Sequence, residues 1–287
     1  MQPVFISASN KSNKKNRPAI ANRPPVSATK KQFEELVKHV KGTIARGAYK
    51  KIVAARALVK QTPKQLHPVT LFHTLCKTYP SAFVSMVYTS QYGLWIGATP
   101  EILLEVKSNT YKTFALAGTM PAKSSARKWG SKELEEHKLV ADYIQQSFRK
   151  LGAPKPHMEL QESTKAGDLL HLRTTYVYTG LPKTKWNEVV KVLHPTPAVA
   201  GLPKKKSIQF IKKQEQNERG FYSGYLGPVN VGDEIHLFVN LRCMQLFDNH
   251  YALYSGCGIT ASSVPSKEWK ESELKMMTLE KIIRQIK

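Results

Sequence analysis

Two long stretches of the chain carry apolar residues at the 3.6-residue spacing of a helix that is buried on one face. The first stretch begins after Thr29, a candidate N-cap, and ends at Gly47, and its apolar face consists of Phe33, Leu36, Val37, Val40 and Ile44. The second covers residues 131–151, and its apolar face consists of Leu134, Leu139, Val140, Ile144 and Phe148. Shorter helices are predicted for residues 186–193, 207–216 and 269–286.

Between these helices the pattern changes to the β-branched and alternating segments that are typical of strands. Strands are predicted for residues 51–60, 83–88, 94–96, 102–106, 111–116 and 176–178. Near the C-terminus, residues 234–246 and 251–254 form a hairpin pattern around Asp248 and Asn249. Because helices and strands come in groups and do not alternate, the order predicts an α+β fold with largely antiparallel sheets.

The two ends of the chain differ in character. Residues 1–28 are rich in Ser, Asn, Lys and Pro and have no hydrophobic period, which predicts a flexible basic arm. Residues 29–287 contain no linker that would divide them, so we expect one domain there. Because the chain has neither an apolar run of about 18 residues nor an N-terminal run of signal-peptide length, we expect a cytoplasmic protein without a membrane anchor.

The charge balance is strongly basic. Lys and Arg number 44 against 21 Asp and Glu, which gives a formal net charge of +23 at pH 7. Nucleic-acid binding would require clustered basic residues interleaved with aromatic side chains, but most of the Lys and Arg residues are dispersed. We therefore interpret the charge as a solvated basic surface that suits a small anionic partner, and we expect no nucleic-acid binding.

The three cysteines exclude some chemistry. Cys76, Cys243 and Cys257 are scattered and odd in number, so neither a disulfide framework nor a paired-cysteine zinc site is predicted.

Two pairs of carboxylates are the most informative polar feature. Glu133 and Glu136 lie three residues apart on the second long helix, and Glu268 and Glu271 repeat that spacing at the start of the last helix. Four carboxylates on two helix faces offer the oxygen ligands that Mg²⁺ prefers. The spacing alone also suits a helix dipole, because acidic residues stabilise the start of a helix.

Eight short motifs occur in one order along the chain and together resemble a known family. They are KIVAAR (51–56), GATPE (97–101), LAGT (116–119), EH (136–137), HPTPA (194–198), RGFYSG (219–224), GCGI (256–259) and EWKES (268–272), with Lys275 following. In this order they resemble the chorismate-utilising enzymes, which include isochorismate synthases, salicylate synthases, anthranilate synthase component I and aminodeoxychorismate synthase component I. The resemblance covers about residue 29 to the C-terminus.

The resemblance implies a fold and a set of site residues. The fold is two packed, largely antiparallel β-sheets flanked by helices, with a Mg²⁺-dependent site in the cleft between the sheets. Glu136 and Glu271 match direct metal ligands, and Glu133 and Glu268 match residues that hold metal-bound waters. The residues that match groups binding the carboxylates of chorismate are Gly118, Thr119, His171, Tyr222, Arg242, Gly256, Gly258 and Lys275.

The resemblance also distinguishes among reactions. In isochorismate and salicylate synthases, a Lys at the place of Lys51 activates the water that attacks ring C2. A Glu at the place of Glu101 protonates the departing C4 hydroxyl. Amine-transferring members lack that Lys, so the resemblance implies an isomerase that converts chorismate to isochorismate. This chemistry needs a neutral amine at Lys51 and a protonated carboxyl at Glu101.

Two alternatives stay open at this point. Salicylate synthases eliminate pyruvate from the isochorismate that they make; Ala198 and Val199 favour stopping at isochorismate, whereas Tyr222 is found in salicylate synthases. The second alternative is a basic binding protein without catalytic activity, built on a shortened scaffold.

The sequence departs from the family at two places. Relatives carry a sizeable stretch before the first long helix, and this chain has a short basic arm there. Four interpretations stay open: the missing strands are dispensable, the chain is a fragment, a partner or self-association compensates for them, or the protein is less stable than its relatives. Relatives tend to have Ala where this chain has Cys257, which we expect to be tolerated as a small hydrophobic residue without a redox role. Whether the product serves menaquinone, siderophore or salicylate synthesis depends on neighbouring enzymes.

Overall fold

The computed structural model describes residues 23–122, 129–158, 161–166 and 169–286. Residues 1–22 of the predicted basic arm lie outside the described residues. The last residues before the first helix are tied to the domain. The side chain of Asn217 forms two hydrogen bonds of 2.8 Å with the backbone of Val26, and the backbone N–H of Ala28 donates to the carbonyl of Ala57.

Six α-helices and fourteen strands make up this part of the chain. The helices are α1 (Lys30–Ala45), α2 (Pro68–Thr78), α3 (Ser131–Lys150), α4 (Trp186–Leu193), α5 (Lys204–Gln214) and α6 (Pro265–Gln285). The strands are β1 (Lys51–Gln61), β2 (Phe83–Thr89), β3 (Gly93–Thr99), β4 (Ile102–Lys107), β5 (Thr110–Pro121), β6 (His157–Met158), β7 (Glu162–Ala166), β8 (Leu169–Tyr178), β9 (Gly201–Leu202), β10 (Tyr225–Leu226), β11 (Val229–Val231), β12 (Glu234–Val239), β13 (Cys243–Leu246) and β14 (His250–Ile259).

The strands form two sheets, as predicted. The first has the order β2-β3-β13-β14-β1-β9, and the second has the order β10-β12-β4-β5-β8-β6, with β11 against β12 and β7 against β8. Every pairing between these described strands is antiparallel. This confirms the α+β fold with two antiparallel sheets.

The first predicted helix is confirmed together with its cap. The Thr29 hydroxyl accepts a hydrogen bond from the backbone of Gln32, and the Gln32 side chain accepts one from the backbone of Thr29. This reciprocal capping box satisfies two backbone donors that a helix start leaves free. Phe33, Val37 and Val40 are buried on the face that the spacing predicts.

The predicted hairpin arm of residues 234–246 is wrong as a single strand. β12 ends at Val239 and pairs with β4 in the second sheet, whereas β13 pairs with β3 in the first. The chain changes sheets at Asn240, whose side chain donates to the carbonyl of Phe221, and at Arg242, whose φ is +49°. The apolar pattern hides this break because residues on both sides of it are buried. The predicted turn at Asp248 and Asn249 is present between β13 and β14.

Some boundaries also differ from the prediction. Helix α2 was not predicted, although it begins at Pro68 and buries Leu71 and Leu75. Helix α5 begins three residues before Ser207, and the strand predicted at residues 176–178 is the end of the longer β8. Of the positions predicted to be apolar-facing on α3, Leu134 is exposed.

Helices cover the outer faces of the sheets and leave the cleft to polar side chains. α3 and α4 pack on the second sheet, α2 and α6 pack on the first, and α1 and α5 contact β1. The starts of α3 and α6 therefore meet near the first residue of β1 and the end of β14. Within the described residues, no helix combines the length and apolar character that crossing a bilayer requires.

Candidate active site

A cavity between the two sheets gathers most of the predicted site residues. Its lining includes Glu101, Glu136, His171, Arg242 and Lys275, which come from five different segments of the chain. The lining also includes Gly118, Tyr222, Gly256 and Gly258. Residues that are far apart in sequence thus converge on one polar cleft.

Lys51 lies at the first position of β1, directly behind this cavity. Its side chain is fully buried, and its Nζ atom lies 2.8 Å from Oε1 of Glu136. The amine has no partner in hydrogen-bond geometry among the described residues, so this contact is an ion pair with the remaining N–H groups unused. Because Glu136 lines the cavity, the amine of Lys51 lies next to it.

Gly258 makes room for this ion pair. A Cβ atom at that position would lie 2.1 Å from Oε1 of Glu136 and 2.7 Å from Cε of Lys51. Both are atoms near the ends of long side chains, so they can move aside without breaking β14. The absence of a side chain at Gly258 therefore matters more for the positions of Lys51 and Glu136 than for the stability of the fold.

We expect Gly258→Ala to reduce turnover by about 10- to 100-fold, because displacing reacting groups by about 1 Å costs that much. The free energy of unfolding should fall by only about 1–3 kcal/mol, the usual range for overpacking. Steady-state kinetics and urea unfolding measure the two effects. The control is Gly42→Ala, since a Cβ at Gly42 would meet only Nη1 of Arg46 at 3.8 Å. Full turnover in Gly258→Ala would contradict this prediction.

Glu101 lies between β3 and β4, and the pKa of its carboxyl is raised. Burial raises the pKa of its carboxyl to about 7, although the charges of Lys275, Lys51 and Arg242 act in the opposite direction. Desolvation outweighs the three cations because it acts on the ionised form directly. Near neutral pH a large share of Glu101 therefore carries a proton.

His171 holds Arg242 in place and stays neutral. Burial, followed by the charges of Arg242 and Lys275, lowers the pKa of His171 to about 3. Its Nδ1 atom lies 3.2 Å from the carbonyl of Gly118, so Nδ1 carries the proton and Nε2 can accept from Nη2 of Arg242 at 3.4 Å. Nη1 of Arg242 donates to Oγ1 of Thr278 at 3.0 Å. The guanidinium is fixed from two sides.

Lys275 joins α6 to β14. Its Nζ atom donates to Oε1 of Glu271 at 2.6 Å and to the carbonyl of Gly256 at 2.9 Å. Burial alone would lower the pKa of Lys275, but the charge of Glu271 raises it above its ordinary value. Lys275 and Arg242 are thus permanent cations on the cavity wall, and they suit a ligand with carboxylates.

Tyr222 presents its hydroxyl to the same wall. Burial raises the pKa of Tyr222 above its ordinary value, so the hydroxyl is a donor and not an anion. A Cβ at Gly256 would lie 2.8 Å from that hydroxyl, which explains why the position has no side chain.

Gly118 forms a bulge in β5. Its φ is +84°, and the register of β5 against β8 shifts between Ala117 and Thr119. A Cβ at Gly118 would lie 3.0 Å from Cβ of Glu133 at the start of α3. The bulge therefore brings strand backbone close to the helix; the Thr119 side chain lies outside the described residues.

The predicted carboxylates do not all meet at one point. Ligand atoms of Glu268, Glu271 and Cys257 lie within 4.8 Å of one another, and this group contains neither Glu133 nor Glu136. Glu136 pairs with Lys51, as described above. The carboxylate of Glu133 turns toward the start of its own helix, where a Cβ at Gly130 would lie 2.6 Å from its Oε2.

Lys132 is the site residue that sequence reasoning missed. Its Nζ lies 2.8 Å from Oε1 of Glu268 and 3.9 Å from Oε2 of Glu271. Burial works against its charge, but Glu271, Glu136 and Glu268 together raise its pKa above the ordinary value. The signal in the sequence was its place four residues before Glu136, on the same helix face.

The carboxylate cluster fits a divalent cation. Carboxylates from two helices already surround a positive charge, the ammonium of Lys132. Glu268 is 1% exposed, and its Oε2 has no hydrogen-bond partner among the described residues. Burial raises the pKa of Glu268, whereas Lys275 and Lys132 outweigh burial and lower the pKa of Glu271. Oxygen donors of this kind are what Mg²⁺ binds.

Comparisons with known proteins find similar enzymes. Residues 3–284 match the family described as chorismate binding enzyme. The chain is 27% identical to the vibriobactin-specific isochorismate synthase of Vibrio cholerae, over 92% of this chain and 70% of that protein. It is 25% identical to isochorismate synthase EntC of Escherichia coli K12, over 86% of this chain and 66% of that protein.

A solved structure is similar throughout the fold. The crystal structure of a 2,3-dihydroxybenzoate-specific isochorismate synthase, DhbC from Bacillus anthracis, superposes with a TM-score of 0.81 at 26% identity. The match covers 89% of this chain and 72% of that one. This chain therefore spans about two thirds of the length of the relatives that it matches.

Proposed function

The chain belongs to the family of chorismate-binding enzymes, and from this premise we propose that it converts chorismate to isochorismate with Mg²⁺ as its cofactor. One observation carries the proposal: a carboxyl with a pKa of about 7, Glu101, lines the same cavity as Glu136, whose Oε1 lies 2.8 Å from the amine of the buried Lys51. Isomerisation by addition and loss of water needs one group that accepts a proton and one that donates it.

The two groups have complementary tasks. The amine of Lys51 takes a proton from water as the water oxygen bonds to ring C2. The ring double bonds shift, the bond from C4 to its hydroxyl breaks, and Glu101 gives its proton to the departing hydroxyl, which leaves as water. One water is added and one is released, so the reaction is balanced, and proton exchange with solvent restores both groups.

The dianionic substrate is held by the fixed cations of the cavity. Arg242 and Lys275 supply charge for its carboxylates, and Tyr222 donates a hydrogen bond from its neutral hydroxyl. Gly256 leaves room for that hydroxyl, and Gly258 leaves room for the side chains of Glu136 and Lys51. Hydrogen bonds from charged groups and from a neutral hydroxyl orient a carboxylate.

We assign Glu136 and Glu271 as metal ligands, and Glu133 and Glu268 as residues that hold metal-bound water. Mg²⁺ held by these residues would supply positive charge for a substrate carboxylate, and Glu136 would then no longer pair with Lys51. The ammonium of Lys132, which lies between Glu268 and Glu271, is the group that must give way to the metal.

The reaction that tests this proposal uses the full chain. Purified protein is incubated with chorismate, with and without Mg²⁺, and the products are separated by chromatography. We expect isochorismate only with the metal, and removal of Mg²⁺ by a chelator should abolish turnover until Mg²⁺ is added back. The matched variants are Glu136→Gln, which should lose metal-dependent turnover, and Glu135→Gln, an exposed neighbour that should keep it.

Two other outcomes would overturn the proposal, and each would identify a different function. Salicylate fluorescence with release of pyruvate would identify a salicylate synthase, a reading that Tyr222 in the cavity favours. Absence of turnover together with salt-sensitive nucleic-acid binding would identify a basic binding protein.

A further inference from the structure

Arg219 is the first residue of the motif RGFYSG (219–224), which carries Tyr222 to the cavity. The reaction proposed above assigns no role to Arg219. Its guanidinium nevertheless makes five hydrogen bonds, all to groups outside its own turn of backbone except the one to Ser223. A side chain held at so many points fixes whatever is attached to it.

The strongest of these contacts is an ion pair with Glu215, the residue that directly follows α5. Nε of Arg219 donates to Oε2 of Glu215 at 2.7 Å, and Nη2 donates to Oε1 at 2.5 Å. Oε1 also accepts from the backbone N–H of Ala55 on β1 at 2.8 Å. The carboxylate side chain is only 6% exposed. Two parallel hydrogen bonds between planar groups fix both distance and orientation, which a lysine could not do.

The same guanidinium reaches two segments that line the cavity between the sheets. Nη2 of Arg219 donates to the carbonyl of Val53 on β1 at 2.9 Å. Nη1 donates at 2.6 Å to the carbonyl of Val199, in the segment between α4 and β9. Val53 and Val199 both line the cavity. Val199 packs with the core of the second sheet, whereas β1 belongs to the first, so Arg219 connects the two walls.

The backbone from Arg219 to Tyr222 is a tight turn. The N–H of Tyr222 donates to the carbonyl of Arg219 at 2.9 Å. Gly220 between them has a φ of +52°, and a Cβ there would lie 2.8 Å from Cζ2 of Trp95. The guanidinium carbon of Arg219 also lies 5.9 Å from the centre of the Tyr222 ring. The position of the Tyr222 ring therefore follows the position of Arg219.

We propose that Glu215 and Arg219 are positioning residues for chorismate, which they serve by fixing the Tyr222 hydroxyl relative to Val53 and Val199. Neither residue touches the substrate. The inference rests on the proposed function only in giving Tyr222 a hydrogen bond to a substrate carboxylate. A displacement of about 1 Å at such a donor is enough to weaken its action markedly.

The experiment compares Arg219→Lys, Tyr222→Phe and the double variant in chorismate binding. All proteins carry Glu101→Gln so that bound chorismate is turned over slowly, and calorimetric titration in Mg²⁺ measures the affinity. Each single change should weaken binding by about 10-fold, the usual size for a hydrogen bond to a charged group. If Arg219 acts through Tyr222, the double variant should lose about 10- to 20-fold. Independent residues would lose about 100-fold together, because the effects of independent sites add in free energy.

Steady-state kinetics with Glu101 intact separate positioning from folding. Arg219→Lys should raise KM for chorismate by about 10-fold and change kcat by less than about threefold, since it weakens a grip that serves substrate and transition state alike. A purely structural role would reduce the fraction of folded protein, which lowers the apparent kcat and leaves KM unchanged.

The matched control is another acidic and basic pair at the same spacing. Asp142→Asn removes the exposed pair of Lys138 and Asp142 on α3, whose atoms lie 3.0 Å apart, and should change chorismate affinity by less than about twofold. Thermal unfolding shows whether each variant is folded. If Arg219→Lys does not fold, Glu215→Gln takes its place, because it removes the carboxylate and leaves the guanidinium its carbonyl partners.

The outcomes separate this inference from the proposed function. Losses that multiply in the double variant, an unchanged affinity in Arg219→Lys, or no chorismate binding by the parent would overturn the inference. Multiplying losses in a chain that makes isochorismate would do so while leaving the proposed function in place. Coupled losses in a chain that binds chorismate without making isochorismate would support the positioning role and reject the proposed function.

Discussion

Replacing Lys51 by alanine is expected to lower kcat for isochorismate formation by about 10³-fold, because a positioned proton acceptor contributes about 10²- to 10⁴-fold. The side chain is fully buried, and its amine has no hydrogen-bond partner among the described residues. Chorismate should still bind, because Arg242 and Lys275 are untouched. Steady-state kinetics and equilibrium binding of chorismate measure the two quantities.

A loss of activity in Lys51→Ala must be distinguished from a loss of folding. Removing Lys51 leaves Glu136 without its partner at 2.8 Å, and a buried charge without a partner destabilises a protein. Lys51→Gln keeps a hydrogen-bond donor there, and thermal unfolding shows which variant remains folded. Lys50→Ala removes an exposed neighbouring lysine and should keep full turnover. Full turnover in either Lys51 variant would disprove the assignment of Lys51 as the base.

Much of the site could be predicted because local spacing and motif order constrain it. The pair Glu133 and Glu136 follows from helix periodicity, and α3 confirms that helix. The burial of Lys51, however, could be inferred only from the motif in which it lies. The residue type alone predicts exposure, since an isolated lysine on a strand is usually exposed. The structure buries it because β9 and β14 flank the first residues of β1.

What the sequence could not predict depends on contacts between distant segments. Lys132 is an ordinary basic residue at a helix start until α6 brings Glu268 to within 2.8 Å of it. The change of sheet between β12 and β13 has no apolar signal, because it rests on Asn240 and on the left-handed backbone of Arg242. Cys257 was expected to be a small hydrophobic residue, and only the position of α6 places carboxylates beside it.

Replacing Glu101 by glutamine should lower kcat by about 10²- to 10⁴-fold and remove a pH dependence that the unmodified chain shows. Burial raises the pKa of Glu101 to about 7 from 4.5, so the protonated form that donates to the departing hydroxyl is lost as pH rises through about 7. Where Lys51 is neutral, as its proposed role as base requires, we expect kcat/KM of the unmodified chain to fall about tenfold per pH unit well above that value.

The same pKa gives a second, independent readout. The folded chain holds the Glu101 proton more tightly than the unfolded chain, so the contribution of Glu101 to stability is fully present below about pH 4.5 and is lost as pH rises through about 7. Glu101→Gln should flatten this slope in urea unfolding, because glutamine does not ionise. The control is Glu105→Gln on β4, which removes a carboxylate 3.8 Å from His236 and outside the cavity lining. If Glu101→Gln kept both the activity and the decline above pH 7, another group would be the acid.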